Sequence, residues 1–162
     1  MKPELTAIYR KTLPMPVMAA LKAGYIKGNI LDYGCGHGAV KKLLGQKYKV
    51  TNYDPHYFPD WPKGEFDTVL CLYVLNVVSM DTRRNVMRGV RYFLKPGGTA
   101  VIAIRTPEDI SAAKKPTWKK YQDGWITPKN TFQHGVTPSE MKYLGLPLHL
   151  VKQLNPNTYI FR

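Results

Sequence analysis

Asn29–Gly38 reads NILDYGCGHG: an apolar run ending in Asp32, then glycines at 34, 36 and 38. The reading is a buried strand that breaks into a tight turn and enters a helix, with a carboxylate at the lip. Glycines there let a flat ligand approach bare backbone, because a Cβ would block it or forbid a positive φ. Gly34, Gly36 and Ala39 satisfy the loose dinucleotide pattern G-x-G-x-x-G/A, so a nicotinamide or flavin cofactor has to be weighed. A pyrophosphate on this turn would lie beside Asp32, and like charges in a sheltered crevice repel by several kcal/mol. S-adenosylmethionine has no phosphate and carries an ammonium and a sulfonium, which Asp32 favours. A glycine turn with a solvated Asp is the structural alternative.

Working outward, KVTNY (49–53) alternates like a strand and closes on Asp54-Pro55-His56, 22 residues after Asp32. An acidic residue at the end of the second strand is placed to accept the two ribose hydroxyls of an adenosyl ligand. NAD carries the same ribose, so Asp54 supports the adenosyl group without choosing between the two cofactors. Only 11 residues, PHYFPDWPKGE, separate Asp54 from the next strand at Phe66, too few for a helix and a further parallel strand. Asp60 is then the nearby candidate for holding the adenine amino group, with Phe58 or Trp61 as a stacking surface. FDTVLCLYVLNVV (66–78) is a continuous apolar run, as a strand buried on both faces requires. Open parallel sheets bind ligands at such strand ends. Leu72 therefore joins the cofactor set, and Tyr73 and Asn76 are the candidates for touching the acceptor.

ILDYGCGHG, YDPH, FDTVLCLYVLNVV and LKPGGTAVIAI, in that order over residues 29–104, resemble the segments of class I S-adenosylmethionine-dependent methyltransferases. AIYRKTLPMPV, DPHYFPD and WITPKNTFQHGVTPSEM resemble more narrowly the methyltransferases associated with DNA phosphorothioation systems. The resemblance implies an α/β, Rossmann-like three-layer sandwich with a mostly parallel sheet and a closing antiparallel C-terminal hairpin, the region of the third strand being abbreviated. It implies a cofactor set of Tyr9, Arg10, Asp32, Gly34, Cys35, Gly36, Asp54, Pro55, His56 and Leu72. Residues 1–28 would be a lead-in over the cofactor, with Arg10 forked onto the methionine carboxylate; an ordinary solvated basic arm is the alternative. YVLN (73–76) stands where amino-methylating DNA enzymes carry an NPPY-type or DPPY-type tetrad, and no Pro-Cys nucleophile for cytosine carbon-5 occurs. Those two DNA chemistries are weakened; ring-nitrogen, phosphate and sugar acceptors are not.

Downstream, the expected elements are a helix over roughly 80–94 capped by Ser79 or Asp81, a turn at KPGG (95–98) and a buried strand TAVIAI. In that helix Val86, Val90, Phe93 and Leu94 face the sheet, and Arg83, Arg84, Arg88 and Arg91 the other sides. Residues 105–137 read as loop-rich, interleaving Lys114, Lys115, Lys119, Lys120 and Lys129 with Trp118, Tyr121, Trp125 and Phe132. Such alternation tracks a phosphate backbone and stacks bases, or pins a loop to its domain. Thr137 with Glu140 reads as a capping box. His37, His56 and His134 are weaker site candidates.

Size and composition bound the rest. At 162 residues the chain is one domain, small for an enzyme with an added target-recognition domain, so a partner subunit is an open possibility. Cys35 and Cys71 read as buried thiols of a reducing cytoplasm, with no disulfide or metal framework. No apolar run reaches membrane-spanning length. Twenty-four Lys plus Arg against 11 Asp plus Glu give a net charge of +13, a field that draws polyanions such as nucleic acid. Charge alone leaves three functions open: a methyltransferase acting on nucleic acid, one acting on a small metabolite, and a non-catalytic module of the same fold that binds nucleic acid or a partner.

Overall fold

A computed structural model describes residues 1–162. The elements in chain order are α1 (Met15–Lys22), β1 (Ile30–Tyr33), α2 (Ala39–Leu44), β2 (Val50–Tyr53), β3 (Phe66–Leu72), α3 (Met80–Phe93) and β4 (Leu94–Ala103). They continue with α4 (Pro107–Ala113), β5 (Lys119–Tyr121), β6 (Gly124–Ile126), β7 (Phe132–Gln133), α5 (Pro138–Gly145), β8 (Leu150–Asn155) and β9 (Thr158–Phe161). A six-stranded sheet has the order β2-β1-β3-β4-β9-β8. The first four strands are parallel, and β9 runs antiparallel to both β4 and β8.

Side-chain alternation explains the layering. Leu31, Val69, Cys71, Ala100, Ile102, Tyr159 and Phe161 pack one face of the sheet against Met87, Val90 and Phe93 of α3 and Met141 and Leu144 of α5. The residues between them, Ile30, Leu70, Val101 and Ile160, pack the other face against Val17 and Ala20 of α1 and Val40 and Leu44 of α2. A sheet covered on both sides favours apolar residues on both faces, which is why the central stretches VLCL (69–72) and AVIA (100–103) read as unbroken hydrophobic runs. The abbreviated region holds no strand: after β2 the chain makes an isolated bridge between Asp54 and Phe58, leaving β2 at the sheet edge.

Several expectations are corrected. The run 66–78 is not one strand; β3 stops at Leu72, Tyr73 takes φ 61°, and Leu75–Val77 form a 3-10 turn. KPGG is not a free turn: Leu94 pairs with Phe66 and β4 passes through it with a register shift. Residues 105–137 contain α4 and a three-stranded antiparallel sheet β5-β6-β7. The capping box lies at Thr106–Asp109, where both reciprocal hydrogen bonds form. At Thr137 only the hydroxyl caps, accepting from the Glu140 N–H. Arg83 does not face solvent; it is fully buried.

Candidate functional site

The parallel strands end at one edge, and a cleft of about 930 Å³ opens there. Its floor is the turn after β1. Gly34 takes φ 84°, and a Cβ there would collide with the Val74 side chain. Gly36 takes φ 53°, and its absent Cβ would lie 3.1 Å from the Ala7 Cβ, because the N-terminal arm crosses directly over this turn. The arm is fixed there: Tyr57 Oη donates to the Glu4 carbonyl at 3.0 Å, and the Lys2 N–H donates to Asn130 at 2.8 Å.

Two carboxylates meet at this floor and differ in their partners. Asp54 is held by the backbone: Oδ2 accepts from the Gly36 N–H at 3.0 Å, and Oδ1 from the N–H groups of His56 at 2.9 Å and Tyr57 at 3.1 Å. Asp32 is 2 % exposed, and its carboxyl is pushed up to about 7 by burial first and by neighbouring Asp54 second. No cation or hydrogen bond within the protein offsets that burial. The Cys35 thiol beside them is pushed well up by burial and by both carboxylates, so it is not a thiolate nucleophile at neutral pH.

Arg10, Asp32, Gly34, Cys35, Gly36, Asp54, Pro55, His56, Leu72, Tyr73 and Asn76 all border this one cleft, as does His37. Tyr9 does not; it is exposed, and its ring stacks on His37 at 3.7 Å. Asp60, Phe58 and Trp61 are also absent from the lining. Trp61 packs instead on Tyr53 and Phe93, at 5.2 and 5.1 Å, where it covers the sheet edge. His134 faces another way: Nδ1 lies 2.8 Å from the Asp123 carbonyl and Nε2 2.8 Å from Glu140 Oε2. Arg83 completes that group, paired with Asp123 and lying 3.0 Å from Glu140 Oε1. The Glu140 contact is an ion pair whose angle is too poor for a hydrogen bond. Asp123, His134 and Glu140 have metal-ligand chemistry, but the buried guanidinium already supplies their positive charge.

The wall beyond Tyr73 was not foreseen. Arg105, Asp109, Gln133 and Asn157 line it. Arg105 donates to Gln133 Oε1 at 3.3 Å and to the Asp109 carbonyl at 3.0 Å. The Thr106 N–H holds the Asp109 carboxyl below its ordinary range, helped by Asn157. The available signal was position: Arg105 follows a buried parallel strand, and such ends face ligands. The Tyr73 phenol is raised by burial, against the lowering effect of Arg10 and Arg105, and is a neutral hydrogen-bonding group. No helix is long and apolar enough to cross a membrane.

Comparison with known proteins agrees with this architecture. No curated protein shows significant similarity to the chain. Among solved structures, an S-adenosylmethionine-dependent methyltransferase from Clostridium acetobutylicum ATCC 824 superposes with TM-score 0.67 at 13 % identity, covering 90 % of this chain and 88 % of that one. The CcbJ methyltransferase from Streptomyces caelestis gives 0.62 at 14 % identity, with 90 % and 87 % covered. The glycopeptide N-methyltransferase MtfA complexed with S-adenosylmethionine gives 0.55 at 14 %, with 96 % and 88 % covered. At such identities the likeness is one of fold. The profile of the family described as Methyltransferase domain matches residues 9–142, most of the chain, and the protein belongs to that methyltransferase family.

Proposed function

We propose that the cleft binds S-adenosylmethionine and that the protein transfers its methyl group to nucleic acid presented at the Tyr73–Asn76 end. The observation that carries the donor is Asp32, a buried carboxylate without a cationic partner. Burial of such a group is costly until positive charge arrives, and the donor brings an ammonium and a sulfonium. The other residues fit the same molecule. Asp54, oriented by three backbone N–H groups, retains lone pairs for ribose hydroxyls. Gly34 and Gly36 supply the positive φ that the turn needs beneath the Val74 side chain and the arm, Leu72 and Val74 give apolar wall, and the arm with Arg10 covers the site. A diphosphate on the turn would set its charges against Asp32.

The bound donor supplies a methyl already activated on sulfur, so the chain's own task is alignment and water exclusion. The arm and the apolar wall exclude solvent. Tyr73, a neutral phenol fixed by the Tyr73 N–H to Ala103 hydrogen bond of 2.8 Å, orients the acceptor. Retained Asp32 and Asp54 disfavour a purely binding role, which has no use for them.

Nucleic acid is supported by the +13 charge and by the small sheet beside the mouth. Gln133 of β7 borders the cleft, while Lys119 and Lys120 of β5 are exposed on the same sheet. The likeness to methyltransferases associated with DNA phosphorothioation systems agrees with that setting. Lys114 and Lys120 lie over Trp125 at 3.9 and 5.1 Å, so that ring carries cations rather than a free stacking face. A small-molecule acceptor is the second reading, favoured by the arm crossing the cleft. Incubation with methyl-labelled donor and a mixture of DNA, RNA and metabolite extract decides: label on polymer is expected, and label confined to low-mass material would reject the nucleic-acid acceptor.

A further inference from the structure

The wall of the cleft contains a side-chain amide with nothing to bind. Asn76 lies on the Leu75–Val77 turn after β3 and is fully buried, yet neither its Oδ1 nor its Nδ2 has a hydrogen-bond partner. Its main chain is committed, the carbonyl accepting from the His134 N–H at 2.8 Å. The residue is therefore held rigidly while its amide is left over. Buried polar groups are nearly always paired, because an unpaired one forfeits its hydration. Asn52 and Thr158 also bury unpaired oxygens, but neither borders the cleft. The nearby Gln133 and Arg105 are already engaged with each other at 3.3 Å.

We propose that Asn76 selects the acceptor by its edge. A carboxamide offers one donor and one acceptor side by side in a plane. Its complement is a planar group with an N–H beside a carbonyl or ring nitrogen, as on the pairing edges of nucleobases. An acceptor bearing only a hydroxyl, or none, leaves half of the amide unpaired and is rejected. The inference rests on the methyltransferase reading of the cleft and adds the class of group entering it. The same edge occurs in a strand and in a free nucleoside, so the test has an arm for each.

Wild type, Asn76→Leu and Asn76→Asp are first titrated with S-adenosylhomocysteine. Comparable binding in all three shows that the donor site and fold are intact; no binding to the wild type overturns the donor reading and this inference with it. Each protein, saturated with that ligand, is then titrated with guanosine, uridine and cytidine. The N1-methylguanosine and N3-methyluridine counterparts follow, then a mixed-sequence single-stranded DNA 12-mer. The expected result is that the wild type binds an unblocked probe about tenfold or more tightly than its N-methylated form. Asn76→Leu loses that preference, and the Asn76 side-chain amide resonance moves on titration. Binding by the nucleosides identifies a free heterocycle; binding by the 12-mer alone identifies a base within a strand where Asn76→Leu weakens it about tenfold, and equal binding of the 12-mer by Asn76→Leu is charge attraction only and overturns the proposal. With donor binding intact, no bound probe, equal binding of blocked and unblocked probes, or an unchanged preference in Asn76→Leu overturns the proposal. Should Asn76→Leu fail to fold, Asn76→Asp and the wild-type resonance decide on the same criteria.

Discussion

Replacing Asp32 by Asn keeps the shape of the side chain and removes its charge, so stability and ligand binding should move in opposite directions. In the unfolded chain the carboxyl loses its proton near the ordinary 3.8; in the fold it does so near about 7. Between those values the folded state holds the extra proton, so rising pH destabilises the wild type through that window. At about 1.36 kcal/mol per pH unit, the full effect is on the order of 4 kcal/mol by pH 7. Asparagine carries no such penalty. At roughly 2–4 °C per kcal/mol for a domain of this size, Asp32→Asn should melt about 8 °C or more above the wild type at pH 7.5. The two should converge near pH 4. Bound donor needs the carboxylate ionised, so wild-type affinity should weaken by about tenfold per pH unit below about pH 7. The variant should bind poorly at every pH. Melting curves at pH 4 and 7.5, with and without S-adenosylhomocysteine, measure both effects. A variant that melts at or below the wild type at pH 7.5, or gains as much from the ligand, would refute the reasoning.

Three further outcomes are expected. Asp54→Ala leaves the N–H groups of Gly36, His56 and Tyr57 without their acceptor; it should cost about 2–3 kcal/mol of stability and abolish donor binding, measured by denaturant unfolding and calorimetry. Arg83→Leu leaves Asp123 and Glu140 without their guanidinium; a loss of about 3–5 kcal/mol is expected, and an unchanged urea midpoint would contradict the pairing. Tyr73→Phe should bind donor as the wild type does and lower turnover by roughly 10–100-fold, the loss of one orienting hydrogen bond; weakened donor binding would place Tyr73 on the wrong ligand.

Motifs legible in the sequence were those whose partners lie nearby along the chain. Asp32, Gly34 and Gly36 announce the turn because a positive φ and a strand end are local matters, and Asp54 follows from strand spacing. The apolar stretches at the C-terminal ends of β3 and β4 declare a sheet covered on both faces. Long-range pairing was not legible. Arg83 sits at a helical position that looks exposed, and Asp123 from the turn between β5 and β6, Glu140 from α5 and the Val78 carbonyl make its burial tolerable. Glu140 had a local alternative in the cap at Thr137, and the ion pair won its carboxylate. Trp61 and Phe58 looked like a stacking surface for the adenine, but Trp61 packs on Tyr53 and Phe93, and Phe58 is held in the bridge to Asp54. The wall formed by Arg105, Asp109, Gln133 and Asn157 comes from three separate segments, so no spacing rule could assemble it.

The central claim is that the cleft over Asp32 and Asp54 takes a cationic adenosyl nucleoside and refuses a diphosphate. Calorimetric titration of the purified protein at pH 7.5 with S-adenosylmethionine, and separately with NAD, tests it most directly. One-to-one binding of the first and none of the second is predicted. Binding of NAD, or no heat with S-adenosylmethionine at millimolar concentration, would contradict the account.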